Sequence, residues 1–563
     1  MSSASGHHRN QAPVAPRPSG VTSNSDARPS GTPPWPHCGH NTAADGVGCA
    51  GRRVGPHTAC LAHLPSPDRS AYLAGLQPGA DVDHRGTAFT DELLSELLTA
   101  LTDSASGRPR FGRANFEQAR FSGDAVFEGA GFDGDAWFMG AEISGQADFG
   151  GVKFNGDVSF LRSKFNGGAW FGGVEFHGTV WFRGAEFHGN AVFLQAVFEH
   201  AARMGPLACT GTLDLSEAVF ATAVTIEAAA AAVHCRRTRW ASTAALRLRH
   251  AAVDLSDAVL EYPVSVAARS RPFTVDDAEM AEPDLTGPRV RVVSLRGVDA
   301  AHLVLTDLDL TDCRFAGTIH LDQLRLEGRY TLAVAPSGLR RRGIWPVRWT
   351  PRRTLAEEHH WRASRSAGAD GWAPPLDGDE VLEPAALAPV YRQLRKSFED
   401  GKHEPGAADF YYGEMEMRRH ADDIPRAERS LLTAYWALSG YGLRASRALA
   451  WLLTSMTATV LAMMLWGLPQ DDAQPRSSGT VTGRSITLTT DAPAPINPSG
   501  PYWKRVSTER FEKSLRVVIN SVVFRSSDQS LTTAGTYTEM ASRLAEPVLL
   551  TLAVLAIRGR VKR

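Results

Sequence analysis

A chain of 563 residues is too long for one simple globule at ~150 residues per domain, so separate segments have to be sought. Sixty Lys and Arg against sixty-one Asp and Glu leave a formal charge of −1, which argues against a protein whose main work is gripping nucleic-acid phosphates. Gly at 51 positions and Pro at 33 stay near ordinary usage, which excludes a collagen-like or wholly disordered chain.

Residues 1–35 are too polar and too broken by Pro and Gly to bury a core, and read as a disordered tail. They hold no apolar h-region and no small-residue cleavage pattern, so the expectation is that the segments behind them stay in the cytoplasm. Residues 36–65 carry Cys38, Cys49, Cys60 and His63 in the order C-x10-C-x10-C-x2-H. Three thiolates and one imidazole suit a closed tetrahedral structural zinc, and so short a Gly-rich piece needs a staple to fold. His40 and His57 are spare ligands. The spacing lacks a C-x2-C knuckle, so reduced cysteines in a small loop-rich cap remain an equal reading. In residues 66–110, Thr90 is an N-cap ahead of Asp91, Phe89 and Leu94 form a staple, and Leu97, Leu98 and Leu101 follow on one face, predicting a helical cap.

From Phe111 onward the aromatic residues keep time. Phe116, Phe121, Phe127, Phe132, Phe138, Ile143, Phe149, Phe154, Phe160, Phe165, Phe171, Phe176, Phe182, Phe187, Phe193 and Phe198 are separated by alternating steps of five and six. Two residues before each centre stands Ala, Val or Ser, and two after it stands Gly in twelve of the sixteen units. Such a step fits neither the 3.6 of a helix nor the 2 of a long strand, so each unit is a short extended piece followed by a corner, and units stack as a solenoid. A large centre fills the axis, a small i−2 residue shares it, and Gly turns the corner. The register continues through Met204, Cys209, Leu215, Phe220 and Ile226, then frays and resumes in fragments to about residue 328. Residues 267–289, with Pro272, Pro283 and Pro288, read as an excursion loop. Cys209 and Cys313 fall on inward positions, as small hydrophobes.

Ala114-Asn115-Phe116-Glu117-Gln118 matches the A-(D/N)-(L/F)-x-x unit, and residues 111–330 resemble the pentapeptide-repeat family. The resemblance implies a mainly β solenoid, a right-handed quadrilateral β-helix, to which the segments that follow add an α-helical connector and two transmembrane helices. Four units per coil and ~4.8 Å per coil give about four coils for the sixteen units.

Residues 331–445 read as a helical connector with a hairpin turning near Gly401–Pro405. There Asp409, Glu414 and Glu416, interleaved with Arg418, Arg419 and His420, read as solvated charge pairs, as do Glu357, Glu358, His359 and His360, which lack HExxH order. Residues 446–563 form the membrane module. Positions 448–468, ALAWLLTSMTATVLAMMLWGL, run without a charge for about 31 Å of helix and read as a span. A second apolar run covers 544–557, extendable back to Met540, with Glu546 as an intramembrane charge pairable with Arg543 or Arg558. Arg444, Arg447 and the basic end of the chain suit the cytoplasm, which predicts a multi-pass protein of the cytoplasmic membrane with both termini cytoplasmic. The intervening loop starts Ser-, Thr- and Pro-rich at 471–501, and Phe511, Leu515, Val518, Ile519 and Val522 predict an amphipathic helix after it.

The order span, helix, polar segment, span resembles the two-transmembrane potassium-channel module of some bacterial pentapeptide-repeat proteins. The resemblance implies that Thr532, Thr533, Ala534, Gly535, Thr536 and Tyr537 stand where that family has its carbonyl-lined filter, although Gly-Tyr-Gly itself is not present. No nucleophile triad, phosphate loop or dinucleotide fingerprint stands out, and no enzyme is expected. The first functional reading is a membrane-anchored scaffold whose partners are the lipid bilayer and an unidentified protein. The second is an ion channel or channel-derived sensor gated by the solenoid, which requires a homo-oligomer. The third is a DNA mimic binding a topoisomerase, for which a net charge of −5 over residues 111–200 is thin.

Overall fold

The computed structural model describes residues 33–561 apart from 41–47, 288, 338, 343–344, 349, 366–370, 376–377, 379, 471–475, 484, 492–494 and 524–528. Nearly all of the tail expected at 1–35 therefore lies outside the described residues.

Strands of two residues follow one another at corners, and each pairs in parallel with residues 22 positions on, as Lys153–Phe154 does with Glu175–Phe176. Twenty-two is two steps of five and two of six, so one turn consumes four units. The backbone N–H of each coil donates to a carbonyl of the next, as from Phe138 to Ser159 at 2.7 Å. The result is a β-solenoid of about 10 turns. Inside it the phenylalanine rings form columns: Phe127, Phe149, Phe171 and Phe193 stack with centroids 5.1, 5.0 and 4.7 Å apart. Neighbouring columns meet edge to face, as Phe138 does Phe149 at 5.5 Å and 87°. Both geometries suit the ring quadrupole, and the i−2 residues, from Ala114 to Ala196, are buried beside the rings.

The corners are of two kinds, which the repeat pattern did not separate. Before steps of five, the i+2 residue takes a left-handed conformation: Gly173 has φ +65°, and a Cβ added there would meet nothing within 4 Å. Gln118, Arg162 and Gln195 occupy the same corner with positive φ. Before steps of six, glycine is required by crowding, because a Cβ on Gly167 would lie 2.3 Å from the Gly145 carbonyl oxygen one coil earlier.

The register does not fray after Ile226; it changes gauge. Val197 pairs with Val219 at the old interval, but Val219 pairs with Arg239 and Arg239 with Val259, twenty residues apart. The change is absorbed by bulges in the long strand Arg203–Asp214, where Met204 meets Ile226 while Leu213 meets Val233. Trp240 stacks on Phe220 at 4.6 Å, so the ring column crosses the change unbroken.

Pairing also begins ahead of Phe111. Ala80–Asp83 pairs with Arg110–Asn115, and Ala88–Phe89 with Arg120–Phe121, the Phe89 ring lying 5.2 Å over Phe121. Helix α1 (Ser66–Ala74) precedes this turn, and helix α2 (Asp91–Ala100) is interposed within it. The Thr90 hydroxyl caps α2 by accepting from Leu93 N–H, and Leu93, Leu94, Leu97 and Leu101 are buried in the solenoid's apolar core. The excursion at 267–289 is an antiparallel pair, Thr274–Val275 with Ala278–Glu279, that doubles back along earlier coils. Phe273 and Met280 cover Ala208 and Ala229, and Asp276 pairs with Arg162 and Arg183.

Beyond the last coil come helices α3 (Ala356–Arg365), α4 (Pro384–Asp400), α5 (Glu404–His420) and α6 (Arg426–Ser439), of which α4 and α5 form the expected hairpin. Helix α7 (Ala445–Ala462) runs on through a π-helical turn, Met463–Gly467. The stretch read as a Ser/Thr/Pro-rich loop contains a β-hairpin, Arg476–Thr482 with Ser485–Asp491. Helix α8 (Thr508–Val522) packs against α7 and α9 (Thr533–Val561), and α7 packs against α9. Two helical stretches, Ala445–Gly467 and Thr533–Arg558, are long and apolar enough to cross a membrane.

Candidate metal centre and apolar hairpin

The N-terminal ligands are assembled by two local devices. Residues 37–40 run antiparallel to 49–52, with Cys38 N–H donating to Gly51 O at 2.8 Å and Cys49 N–H to His40 O at 2.9 Å, which faces Cys38 toward Cys49. The short 3-10 turn Leu61–His63 then holds Cys60 and His63 three residues apart, His63 N–H donating to Cys60 O. Gly51 closes the gap, since a Cβ there would lie 2.7 Å from Cys60 Sγ.

The four ligand atoms lie within 4.8 Å of one another. Cys49 and Cys60 Sγ are 3.7 Å apart, Cys38 Sγ and His63 Nδ1 3.7 Å, and Cys60 Sγ and His63 Nδ1 3.3 Å. A zinc tetrahedron with bonds of about 2.3 Å to sulfur and 2.0 Å to nitrogen has edges of roughly 3.5–3.8 Å, so the donor set fits such an ion. The contact with Cys60, against the opposing effect of burial and aided more weakly by Gly51 N–H, lowers the Cys49 thiol to about 5, while the same contact and burial push Cys60 up. The spare histidines stand outside the cluster: His40 stacks on His63 and His57 faces Asp68.

Of the carboxylates expected on solvated helix faces, Glu357, Glu358, Glu414 and Glu416 are instead buried and Asp409 is half-buried, because the last coil and the connector helices cover them. Glu357 accepts from Phe315 and Ala316 N–H at 2.6 and 2.9 Å, closing the end of the solenoid. Burial opposes ionisation of Glu358, but Arg352 and Arg362 override it and hold the carboxyl well below its ordinary range. Arg352 binds both Glu358 oxygens at 2.6 and 2.7 Å, Arg362 adds a bond at 2.7 Å, and Tyr391 donates to the same group. Arg362 also reaches Glu416, which accepts from Arg419 and, at 3.1 Å, from the Tyr441 hydroxyl. Glu414 accepts from Arg392 and Arg395. Asp409 accepts from Arg353 N–H, and burial raises its carboxyl. One network thus joins the solenoid end to the residues just before α7. Glu358, Trp361 and Arg362 share a helix face at i, i+3 and i+4, a mixture of charge and aromatic that was the available signal for burial.

In the hairpin of apolar helices, Thr533, Ala534, Gly535, Thr536 and Tyr537 are the first turns of α9, not an extended filter. Thr532 O accepts from Thr536 N–H inside the helix, the Thr532 hydroxyl bonds to Trp466 O at 2.6 Å, and a Cβ on Gly535 would lie 2.3 Å from Gly467 O. These residues form a close crossing of α7 and α9. Tyr537 is exposed. Arg510 saturates the end of the first stretch, its guanidinium donating to Met464, Leu468 and Pro469 carbonyls at 2.8 Å. Helix α8 forms where the sequence predicts the amphipathic helix; it buries Ser514, Val517, Val518 and Ser521 and leaves Phe511 and Ile519 of the apolar stripe exposed. Glu546 is buried against Thr459, 3.0 Å from its hydroxyl, while Arg543 pairs with Glu539 instead.

A family model described as Pentapeptide repeats (9 copies) matches residues 108–153, 138–185 and 162–205. No curated protein and no solved structure matches this chain.

Proposed function

We propose that this protein is a membrane-anchored scaffold that presents a pentapeptide-repeat rod in the cytoplasm. The observation that carries this reading is the buried network from Glu357 through Glu358, Arg362 and Glu416 to Tyr441, which ties the rod's end to the start of the first apolar helix. A free rod would need no such junction. In this reading Ala445–Gly467 and Thr533–Arg558 span the bilayer, Arg444, Arg447 and Arg558 lie on the cytoplasmic side with both termini, and the hairpin Arg476–Thr482 with Ser485–Asp491 is external. The Cys38, Cys49, Cys60 and His63 cluster holds structural zinc, and the partner of the rod is a protein. The test is alkaline carbonate extraction of membranes with protease protection of the external hairpin. Retention of the full chain and cleavage of the hairpin only from the outer face are expected; a soluble chain overturns the reading.

The packing of α8 supports a second reading, a channel or channel-derived sensor. Arg510 lies at the outer end of α7, whereas Val518 packs on Val460 and Met464, so α8 descends beside the span like a half-helix. This reading requires a homo-oligomer with bilayer conductance; a monomer with silent bilayers rejects it.

A further inference from the structure

Helix α6 stands directly before the first span, joined by the turn Gly440, Tyr441 and Gly442, all at positive φ. One side of it is occupied: Leu432, Tyr435 and Trp436 pack on Tyr412, Met415 and Tyr441. The other side carries Ala427, Leu431, Ala434 and Leu438 at intervals of four, three and four, an apolar stripe with Leu431 71% exposed.

The depth of this helix can be read from its contacts. Trp451 and Trp466 stand fifteen residues, about 22 Å, apart toward the two ends of one helical stretch, the places that interfacial aromatic belts favour. The Trp451 indole donates to Ala437 O at 3.1 Å, and Arg447 donates to Trp436 O at 2.7 Å with its guanidinium over the Trp436 ring. The C-terminal half of α6 is therefore level with the inner belt. Helix α9 runs antiparallel to α7, with Gly467 against Gly535 and Thr459 against Glu546, which brings Arg558 level with the start of α7. Helix α6 also packs against α9. On the span itself Leu449 and Leu453 are 44% and 67% exposed; Arg426 opens α6, Arg447 lies in the first turn of α7 and Arg558 in the last turns of α9.

We infer that α6 lies in the inner headgroup layer of the bilayer, its Ala427, Leu431, Ala434 and Leu438 stripe against acyl chains and Arg426, Arg447 and Arg558 on anionic lipid headgroups. The partner is a lipid surface, because α6 adjoins the span through the Trp451 contact with Ala437 O, and Arg426, Arg447 and Arg558 stand at the ends of the three helices that meet there. The inference rests on the membrane reading, and the test separates the two. The full chain carries an environment-sensitive fluorescent amino acid at Leu431, at Leu461 in the span, or at Thr480 in the external hairpin, in vesicles of phosphatidylcholine with phosphatidylglycerol. Brominated acyl chains are expected to quench the probes at Leu461 and Leu431 but not at Thr480. At equal content, brominated phosphatidylglycerol quenches Leu431 more than brominated phosphatidylcholine, a preference that Arg426→Ala lowers up to about fivefold. A Leu461 probe quenched by lipid with a Leu431 probe quenched only by aqueous iodide overturns the inference and leaves the membrane reading intact. A Leu431 probe reached by neither quencher means that protein covers the stripe, which also overturns it. Equal quenching by the two lipids overturns the anionic preference. An unquenched Leu461 probe refutes the membrane reading itself.

Discussion

Replacing Gly167 and Gly173 by alanine, one at a time, separates the two kinds of corner. At Gly173 the added methyl meets open space, and the cost is that of a left-handed alanine, about 1 kcal/mol, partly offset by the stiffer unfolded chain. At Gly167 the backbone is ordinary, but the methyl would lie 2.3 Å from the Gly145 carbonyl oxygen, roughly 1 Å inside contact distance, so two coils must part. Overpacking of that kind costs about 1–3 kcal/mol, and no neighbouring side chain can swing aside because the obstacle is backbone. The expected difference of about 1.4 kcal/mol is tenfold in local opening. Hydrogen exchange of the full chain in detergent, read on peptides covering residues 140–190, measures it: Gly167→Ala speeds exchange about tenfold more than Gly173→Ala. Equal effects, or a larger effect at Gly173, would refute the division of corners.

Purified full-length protein is expected to carry one zinc per chain by elemental analysis, lost in Cys60→Ser, and chelation is expected to speed hydrogen exchange around Arg85, whose carbonyl is bonded to Arg52 N–H beside the ligands. Metal-free protein with unchanged exchange would refute the staple. His84 is fully buried, and burial lowers its imidazole from 6.5 to about 4, with Asp83 opposing. The unfolded chain therefore binds the extra proton, and about 3 kcal/mol of stability, complete above pH 6.5, is lost as pH falls toward 4. Comparison with His84→Gln, which should flatten that part of the pH dependence of chemical denaturation, isolates it from other buried groups. Glu358→Gln leaves Arg352 and Arg362 under-neutralised in the junction and should cost about 3–5 kcal/mol in the same denaturation assay; a loss under 1 kcal/mol would deny the network its role. Asp276→Ala releases the doubled-back hairpin from Arg162 and Arg183, whose side chains are 59% and 46% exposed, so stability should change by less than about 1 kcal/mol while exchange at 274–279 rises.

The solenoid was legible because every turn asks the same question of the same positions, and phenylalanine answers at fifteen of sixteen centres. The gauge change was not, because Ala230 lies where Phe187 and Cys209 stand as centres in the two preceding turns, so pairing persists while its marker vanishes. The earliest turn was hidden by α2, which interrupts the spacing between Phe89 and Phe121 without interrupting their contact. Cys38, Cys49, Cys60 and His63 were legible by residue type alone, since the turn pairing Cys38 with Cys49 replaces the usual knuckle. The buried carboxylates were misread because a helix pattern reports its own periodicity and not what will cover it. Gly535 and Tyr537 misled for a related reason: glycine marks a close backbone approach as readily as a filter, and here the approach is to Gly467.

The step from twenty-two to twenty residues per turn makes the rod a ruler with two scales. Excising residues 139–160 would bring Phe182 over Phe138 with every ring still over a ring, shortening the rod by about 5 Å. The same excision below Trp240 would throw the columns out of step by two residues. The length of the rod can therefore be altered only in whole turns, and the increment that fits depends on the turn removed, since Leu305 pairs with Leu326 and Asp309 with Thr331 at intervals other than twenty.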